Sequence, residues 1–463
     1  MPYQVPNNID PNKIFLVNFS ELEGRWDPYY HIPYYSSQRT NYIAKKFIPI
    51  SQIMLDWNRG DGPRDGFYTD DKDNGVYFIR INNLRNHTVI LDDIKYINRI
   101  IHETKLKRAQ VTSGDLVFAI SGTKDNLGTV AIIPDNIKEA NLNSAIVKLQ
   151  IDESVINKRY FCYLFDLDLV RQQIEYIGKG AAQNNLNRDE VGQILIPNNP
   201  KPFQELVVEI LENAQKNKRQ KLCESKKKLA SIDQYLLSEL GIIMPEKDNS
   251  LEKRIFTVKF SEVCGGRLDP FWQTVQHEKM RSKKYQEFSV KTLANLQKGT
   301  SITSDEIIEG DYPVIAGGQS SPYSHNEYNF DGNVITVSAS GAYSGYVWYH
   351  EQPIFASDCT VLWSIDENKC LTIYLFEILR LKQHELYNLQ QGAGQPHVYP
   401  QDIEKVLIPL PPLDKQREIV ANISAIRTEA KRLEQEGEKL LQSARQQVEK
   451  MILGHYIFSS TAS

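Results

Sequence analysis

Two loops of this 463-residue chain concentrate side chains that hydrogen-bond in pairs, set among residues small enough to expose the backbone. The first holds Lys179, Gly180, Ala181, Ala182, Gln183 and Asn184; the second holds Gln391, Gly392, Ala393, Gly394, Gln395 and, two residues on, His397. A carboxamide offers a donor and an acceptor side by side. Glycine lets backbone N–H groups approach an anion. Two further strings have the same character: Ser121-Gly122-Thr123-Lys124, and Ser338 followed by Ser340-Gly341-Ala342-Tyr343. Such groups recognise by hydrogen bonding; bond making needs more.

The motifs of catalysis are missing from the sequence. There is no GxxxxGK[ST] phosphate loop and no HExxH pair. The nine histidines show no zinc-ligand spacing. Ser338-Ala339-Ser340 lacks the flanking glycines of a nucleophile elbow. Gly317-Gly318, in "IAGGQSSP", reads as a turn between strands. Cysteines 162, 223, 264, 359 and 370 are odd in number, scattered and free of any CxxC, which points to reduced, buried thiols in a cytosolic protein. A net charge of −4 leaves nucleic-acid binding to local patches. No run is long and apolar enough for a membrane span, and "MPYQVPNNIDPNK" has no signal-peptide pattern.

The elements that must position these loops are written twice. "KGAAQNNLNRDEVGQILIPNNP" (179–200) returns 212 residues later as "QGAGQPHVYPQDIEKVLIPLPP" (391–412). Gly180/Gly392, Gln183/Gln395 and Leu195-Ile196-Pro197/Leu407-Ile408-Pro409 are identical, and Glu190/Asp402 is a close exchange. "VNFSELEGRWDPYY" (17–30) returns as "VKFSEVCGGRLDPFW" (258–272), matching Gly24, Asp27 and Pro28 to Gly266, Asp269 and Pro270. "SGDLVFAISGT" (113–123) is echoed by "DGNVITVSASGAY" (331–343), both reading as turn, buried strand and Ser/Gly loop. Three landmarks in one order define two copies of a large module.

Each copy closes in a long polar stretch without glycine to its exit or nearly so. In the second, Ile419, Ile423, Ile426, Ala430, Leu433, Leu440, Ala444 and Met451 fall at intervals of three, four and seven, a coiled-coil seam with Gly437 at one seam position. In the first, Val207, Leu211 and Ala214 are followed by Leu222, Ser225, Leu229, Ile232 and Leu236, with the seam offset around Lys218. Prolines fix both starts, with Asn199 expected as an N-cap, and Gly241 and Gly454 mark the exits. Forty residues make a helix on the order of 60 Å, and such narrow apolar stripes call for each other as partners.

With this architecture the chain resembles the specificity (S) subunit of type I restriction–modification systems. "LIPLPPLDKQREIVANISAI" (407–426) and "GAGQPHVYPQDIEKVLIPLPP" are the most similar pieces; "LIPNNPKPFQELVVEIL" departs from the pattern, though Gln204 still matches Gln416 and Val208 matches Val420. The fold expected is α+β: two mixed α/β globular target-recognition domains joined by two long helices pairing as an antiparallel coiled coil, a pseudo-two-fold tandem repeat. Expected boundaries are 1–199 and 251–411 for the recognition domains, 200–241 and 412–454 for the spacer helices, 242–250 for the linker and 455–463 for the tail. The resemblance implies a cytoplasmic, non-catalytic subunit that reads a bipartite, asymmetric site in double-stranded DNA and docks two methyltransferase subunits and restriction/motor subunits. S-adenosylmethionine, ATP and magnesium are expected in those partners, with no cofactor or metal in this chain.

Candidate DNA contacts are Ser121, Gly122, Thr123, Lys124, Lys179, Gln183, Asn184, Ser338, Ser340, Gly341, Tyr343, Gln391, Gln395 and His397. Unmatched polar loops, "SSQRTNY" (36–42), "RNH" (85–87) and "HEKMRSKK" (277–284), are further places for base reading, and the cations of "KNKRQKLCESKKK" (216–228) read as a solvated face or a phosphate contact. The rival readings are a restriction–methylation subunit with a fused or different catalytic partner, and a coiled-coil scaffold that binds protein.

Overall fold

Leu116–Ala119 and Val334–Ser338 carry no charge, and each forms a strand buried along its length. Strands covered on both faces read this way. Around them a computed structural model describes residues 31–62, 66–177, 184–244, 280–392 and 394–454, with 10, 13–17, 19 and 257. Residues 20–30, 258–279, 245–250 and 455–463 lie outside the described residues, and with them most of the Gly24/Gly266 repeat, the linker and the tail.

The chain divides into two compact units, Met1–Gln220 with Glu436–Ser463, and Lys221–Gln435. In the first, strands β1 (Met54–Arg59), β2 (Gly75–Ile79), β3 (Leu116–Ala119), β4 (Val130–Ile132), β5 (Ala140–Leu142) and β6 (Ile146–Ile151) precede helices α1 (Lys158–Leu164), α2 (Asp168–Ile177) and α3 (Lys201–Leu240). The main sheet runs β1-β6-β3-β4 and continues into Thr88–Val89 and Leu84–Arg85; β2 pairs in parallel with β5 in a second sheet.

The second unit holds β7 (Ala294–Lys298), β8 (Tyr312–Ile315), β9 (Val334–Ser338), β10 (Val347–His350), β11 (Phe355–Ala356), β12 (Cys359–Ser364) and α4 (Thr372–Leu381), and α5 (Leu413–Ile452) begins in it. Its main sheet is β7-β12-β9-β10, antiparallel throughout, and β8 pairs in parallel with β11. The order β1-β6-β3-β4 and the parallel pair β2-β5 of the first unit are repeated here, without the two further strands of its main sheet. The weak echo between 113–123 and 331–343 therefore marks one structural position, β3 and β9.

A buried glutamine mounts each long helix on its unit. Gln204 Oε1 accepts from the Asn157 N–H at 2.7 Å, and its Nε2 donates to the carbonyls of Val155 and Asn199. Gln416 does the same with Leu371 N–H and the carbonyls of Lys369 and Pro411. Pro200 and Pro412 supply the first helical carbonyls. Asn199 is not the side-chain cap expected of it: its Oδ1 is taken by the Tyr160 hydroxyl at 2.8 Å. Gly241 and Gly454 both leave the helices at positive φ, as a helix exit favours.

Each unit contains part of both long helices, and the second shows how they pair. Ser225 Oγ donates to Glu434 at 2.9 Å, Asn422 Nδ2 to the Tyr235 hydroxyl at 2.8 Å, and Lys415 Nζ lies 2.7 Å from Glu239. Partners descend in α5 as they ascend in α3, so the pairing is antiparallel. The seam differs from its sequence reading at Leu222 and Leu229 of α3, which are both exposed, and late in α5. Leu441, Val448 and Ile452 are buried, Leu440 is exposed and Met451 half-buried. A 3.6-residue helix drifts away from a strict heptad by about 20° per repeat, and two repeats of drift select the next residue. The offset at Lys218 is a polar step in the seam: half-buried Lys218 pairs with Glu438 at 2.6 Å.

The two units meet the helices with different chemistry at matched places. Tyr163 Oη reaches Gln215 at 3.3 Å in the first. In the second, Glu377 and Arg427 form a two-pronged ion pair. Burial pushes the Glu377 carboxyl up and the Arg427 guanidinium opposes it. In the first unit Asp166 also accepts from Arg445 at 2.5 Å and faces His87 Nε2 at 3.1 Å. His87 of "RNH" is thus turned onto a helix contact and is not a free base reader. Of the cysteines, 162, 359 and 370 are buried as expected, Cys223 is exposed and Cys264 lies outside the described residues. Among the described residues no helix is long and apolar enough to cross a membrane.

Candidate nucleic-acid interface

Because β1, β6 and β3 alternate in direction, the end of β1, the start of β6 and the end of β3 share one edge of the first sheet. Ser121-Gly122 leaves that edge and pairs antiparallel with Asn184-Asn185, Gly122 facing Asn184 and Ser121 facing Asn185. The second unit repeats the arrangement. Ser340 bridges to His397, the Gly341 N–H donates to the Pro396 carbonyl at 3.0 Å, and Val398 N–H donates to Ala339. The two kinds of loop singled out by composition are therefore clasped together in each unit. Pro396 and His397 stand 212 residues after Asn184 and Asn185, so the repeat and the pairing register agree.

Glycine is required at the turn itself. Gly122 and Gly341 have φ of +147° and +82°, a region closed to most side chains. Gly392, at φ +99°, would place a Cβ 2.9 Å from the Gln395 carbonyl.

The candidate side chains sort by exposure and partners. Thr123 and Lys124 are exposed in a loop held from below by Arg171, which donates to the carbonyls of Leu127 and Lys124 at 2.7 and 2.9 Å. Burial lowers the pKa of that guanidinium. Lys124 pairs with Glu175 at 3.1 Å on the exposed surface, a contact a phosphate can displace at little cost. Tyr343 and Gln395 are exposed. Ser340 donates its hydroxyl proton to Asp358, and Gln391 gives its Nε2 to Asp402 at 2.6 Å, so both help build the rim. Ser338 is only 4% exposed and belongs to the strand, which corrects its place among surface contacts. His397 is half-buried beside Tyr399. Lys179 and Gln183 lie outside the described residues, as does the side chain of Asn184.

The structure adds neighbours that composition did not single out. Arg59-Gly60 ends β1 and Lys298-Gly299 ends β7, at the same corner of the two sheets. A Cβ on Gly60 would lie 2.1 Å from the Asn143 carbonyl, and one on Gly299 would lie 2.2 Å from that of Ser357. A cation–glycine pair after a strand was the available signal, hidden because these pairs are not 212 residues apart. Gly317 packs on this surface as well: a Cβ there would lie 2.6 Å from the Ser340 carbonyl. The Gly-Gly turn is a turn, and it adds Gln319 and Ser320, both exposed, beside the rim. Of the other loops, "SSQRTNY" lies within the helix Pro33–Ala44, and Arg281 of "HEKMRSKK" pairs with Glu287 at 3.1 Å. Among the described residues no cluster of His, Cys, Asp and Glu could hold a metal ion.

Residues 282–442 match the model of the type I restriction modification DNA specificity domain. A stretch of 136 residues is 30% identical to the type I restriction enzyme MjaVIII specificity subunit of Methanocaldococcus jannaschii; it covers 27% of this chain and 32% of that protein, about a third of the relative's length. A chain from a structure described as the structural basis underlying complex assembly and conformational transition of the type I R-M system aligns at TM-score 0.51 and 16% identity, over 88% of this chain and 96% of its own. The S subunit of a type I restriction–modification system from M. genitalium aligns at TM-score 0.42 and 14% identity, over 87% and 94%.

Proposed function

Because residues 282–442 match the type I restriction modification DNA specificity domain, we propose that the whole chain is the DNA-recognition subunit of a type I restriction–modification complex. It reads a two-part asymmetric site, one part through each unit. One observation carries this: both units build the same Ser–Gly rim on the same strand topology, yet fill it with different side chains. Thr123 and Lys124 occupy one rim, Tyr343, Gln395 and His397 the other. Equal scaffolds with unequal polar surfaces suit unequal half-sites, since base edges are read by side-chain hydrogen bonds and phosphates by position.

The chain itself performs no chemistry in this reading. Two methyltransferase subunits dock on it, restriction/motor subunits join them, and S-adenosylmethionine, ATP and magnesium belong to those partners in the cytoplasm. In this reading a methyltransferase subunit docks, in the second unit, over the cavity of about 590 Å³ lined by Leu229, Ile232 and Leu236 of α3, Arg380 of α4 and Arg427 of α5.

Methylome sequencing of a host carrying this chain with its methyltransferase tests the proposal. The expected product is a modified motif of two different halves around a gap, with one half changed when the rim of one unit is replaced. A single undivided motif would reject bipartite reading, and methyl transfer by the purified chain alone would reject the non-catalytic role.

A further inference from the structure

Resting on that DNA-recognition reading, we propose that Arg59, Lys105 and Arg108 form a seat for one backbone phosphate of bound DNA beside the first rim. The three cations line a cavity of about 330 Å³ with Gly60, Asp61 and Ser144. One carboxylate against three cations leaves the walls positive. Two of the cations are held in place by groups that do not neutralise them. Arg59 Nε donates to the Ser144 carbonyl at 2.8 Å, and Lys105 Nζ stands 5.1 Å from the centre of the Phe67 ring. A neutral partner fixes the side chain yet leaves its charge for an anion, so less conformational entropy is lost on binding. Gly60 packs closely onto the carbonyls of Asn143 and Leu142, which fixes the end of β1 and with it Arg59.

The cavity adjoins the candidate interface. Ser144, in its wall, precedes Ala145, whose carbonyl accepts from Ile120 at 2.9 Å, and Ile120 precedes Ser121 of the rim. A phosphate seated there would hold the duplex in register against the Ser121–Lys124 loop, since phosphate contacts position and base contacts specify.

Among the described residues the second unit keeps one of the three cations, with Lys298 at the place of Arg59, and does not repeat the seat. The glycine packing that aligns Gly60 with Gly299 places Asp358 where the first unit has Ser144. The segment between β8 and β9, residues 316–333, contains neither lysine nor arginine. Among the described residues the cluster of three cations therefore belongs to the first unit.

The test measures affinity for a random-sequence duplex against salt, using the full chain with its methyltransferase. Counterion release makes the logarithm of affinity fall with the logarithm of salt by about 0.9 per phosphate neutralised. The triple variant Arg59→Gln, Lys105→Gln, Arg108→Gln is expected to lower that slope by about one and to weaken random and target duplexes by the same factor. Arg59→Lys, Lys105→Arg, Arg108→Lys should keep the slope. Thermal unfolding monitors the fold, and Arg108→Gln alone, at an exposed position, keeps the test open if the triple variant unfolds. An unchanged slope, or a loss confined to one base position, would overturn the seat while leaving DNA recognition intact. Failure of the unmodified complex to bind any duplex would sink the DNA reading and the seat together.

Discussion

At the scale of single residues, the repeat is kept by hydrogen bonds more than by shape. Gln204 and Gln416 are buried, and each satisfies one N–H and two carbonyls at the entry of a long helix. Gln204→Ala should destabilise the first unit by about 2–3 kcal/mol, because buried groups left without partners cost that much. Faster hydrogen exchange at the Asn157 amide is the measurement; unchanged protection would contradict it. Asp166 offers a pH test. Burial alone would raise its carboxyl, but His87 and Arg445 outweigh burial and hold it below the ordinary 3.8. Its folded pKa is depressed, so the stability it contributes is present above 3.8 and lost as pH falls through the lower folded value. Urea unfolding should therefore show Asp166→Asn less stable than the parent at neutral pH, with the difference shrinking in acid. A difference independent of pH would exclude the ion pair as its source.

At the scale of elements, the long helices are specified by an apolar stripe with a polar interruption. Lys218 stands in the seam, paired with Glu438 at a half-exposed position. Such a pair contributes little, and a polar seam residue lowers stability while fixing register. Lys218→Leu should raise the unfolding free energy by on the order of 1 kcal/mol, read as a higher urea midpoint. A fall would mean that the ion pair outweighs the apolar contact. In α5 sequence reading located the seam through Leu433 because three- and four-residue spacings determine a helix face locally, whereas in α3 it included Leu222 and Leu229, which the structure exposes. It chose Leu440 over Leu441 because two adjacent leucines fit one stripe equally well, and only accumulated drift decides between them.

At the scale of the whole molecule, the proposal requires two readers on one polypeptide connected by paired helices. Four residues inserted in each helix add about 6 Å, and base pairs are spaced by about 3.4 Å. Such a chain should direct methylation to a motif with the same two halves and a gap longer by one or two base pairs. Methylome sequencing reads this directly; altered half-sites with an unaltered gap would show that the helices do not set the spacing.

Read alone, the sequence established what is local or repeated: two copies of a module, long helices opened by prolines and closed by glycines, and loops rich in Ser, Gly and Gln. Periodicity and turn chemistry act between near neighbours, and duplication makes distant matches visible without any folding. Tertiary structure alone decided which matched loops touch and which polar side chains remain exposed. It clasped Ser121-Gly122 against Asn184-Asn185, buried Ser338, turned His87 onto Asp166 and brought Arg59 to Lys105 and Arg108. Those outcomes depend on strand order and on contacts between residues far apart in the chain, where no spacing rule operates and burial chooses among side chains of similar type.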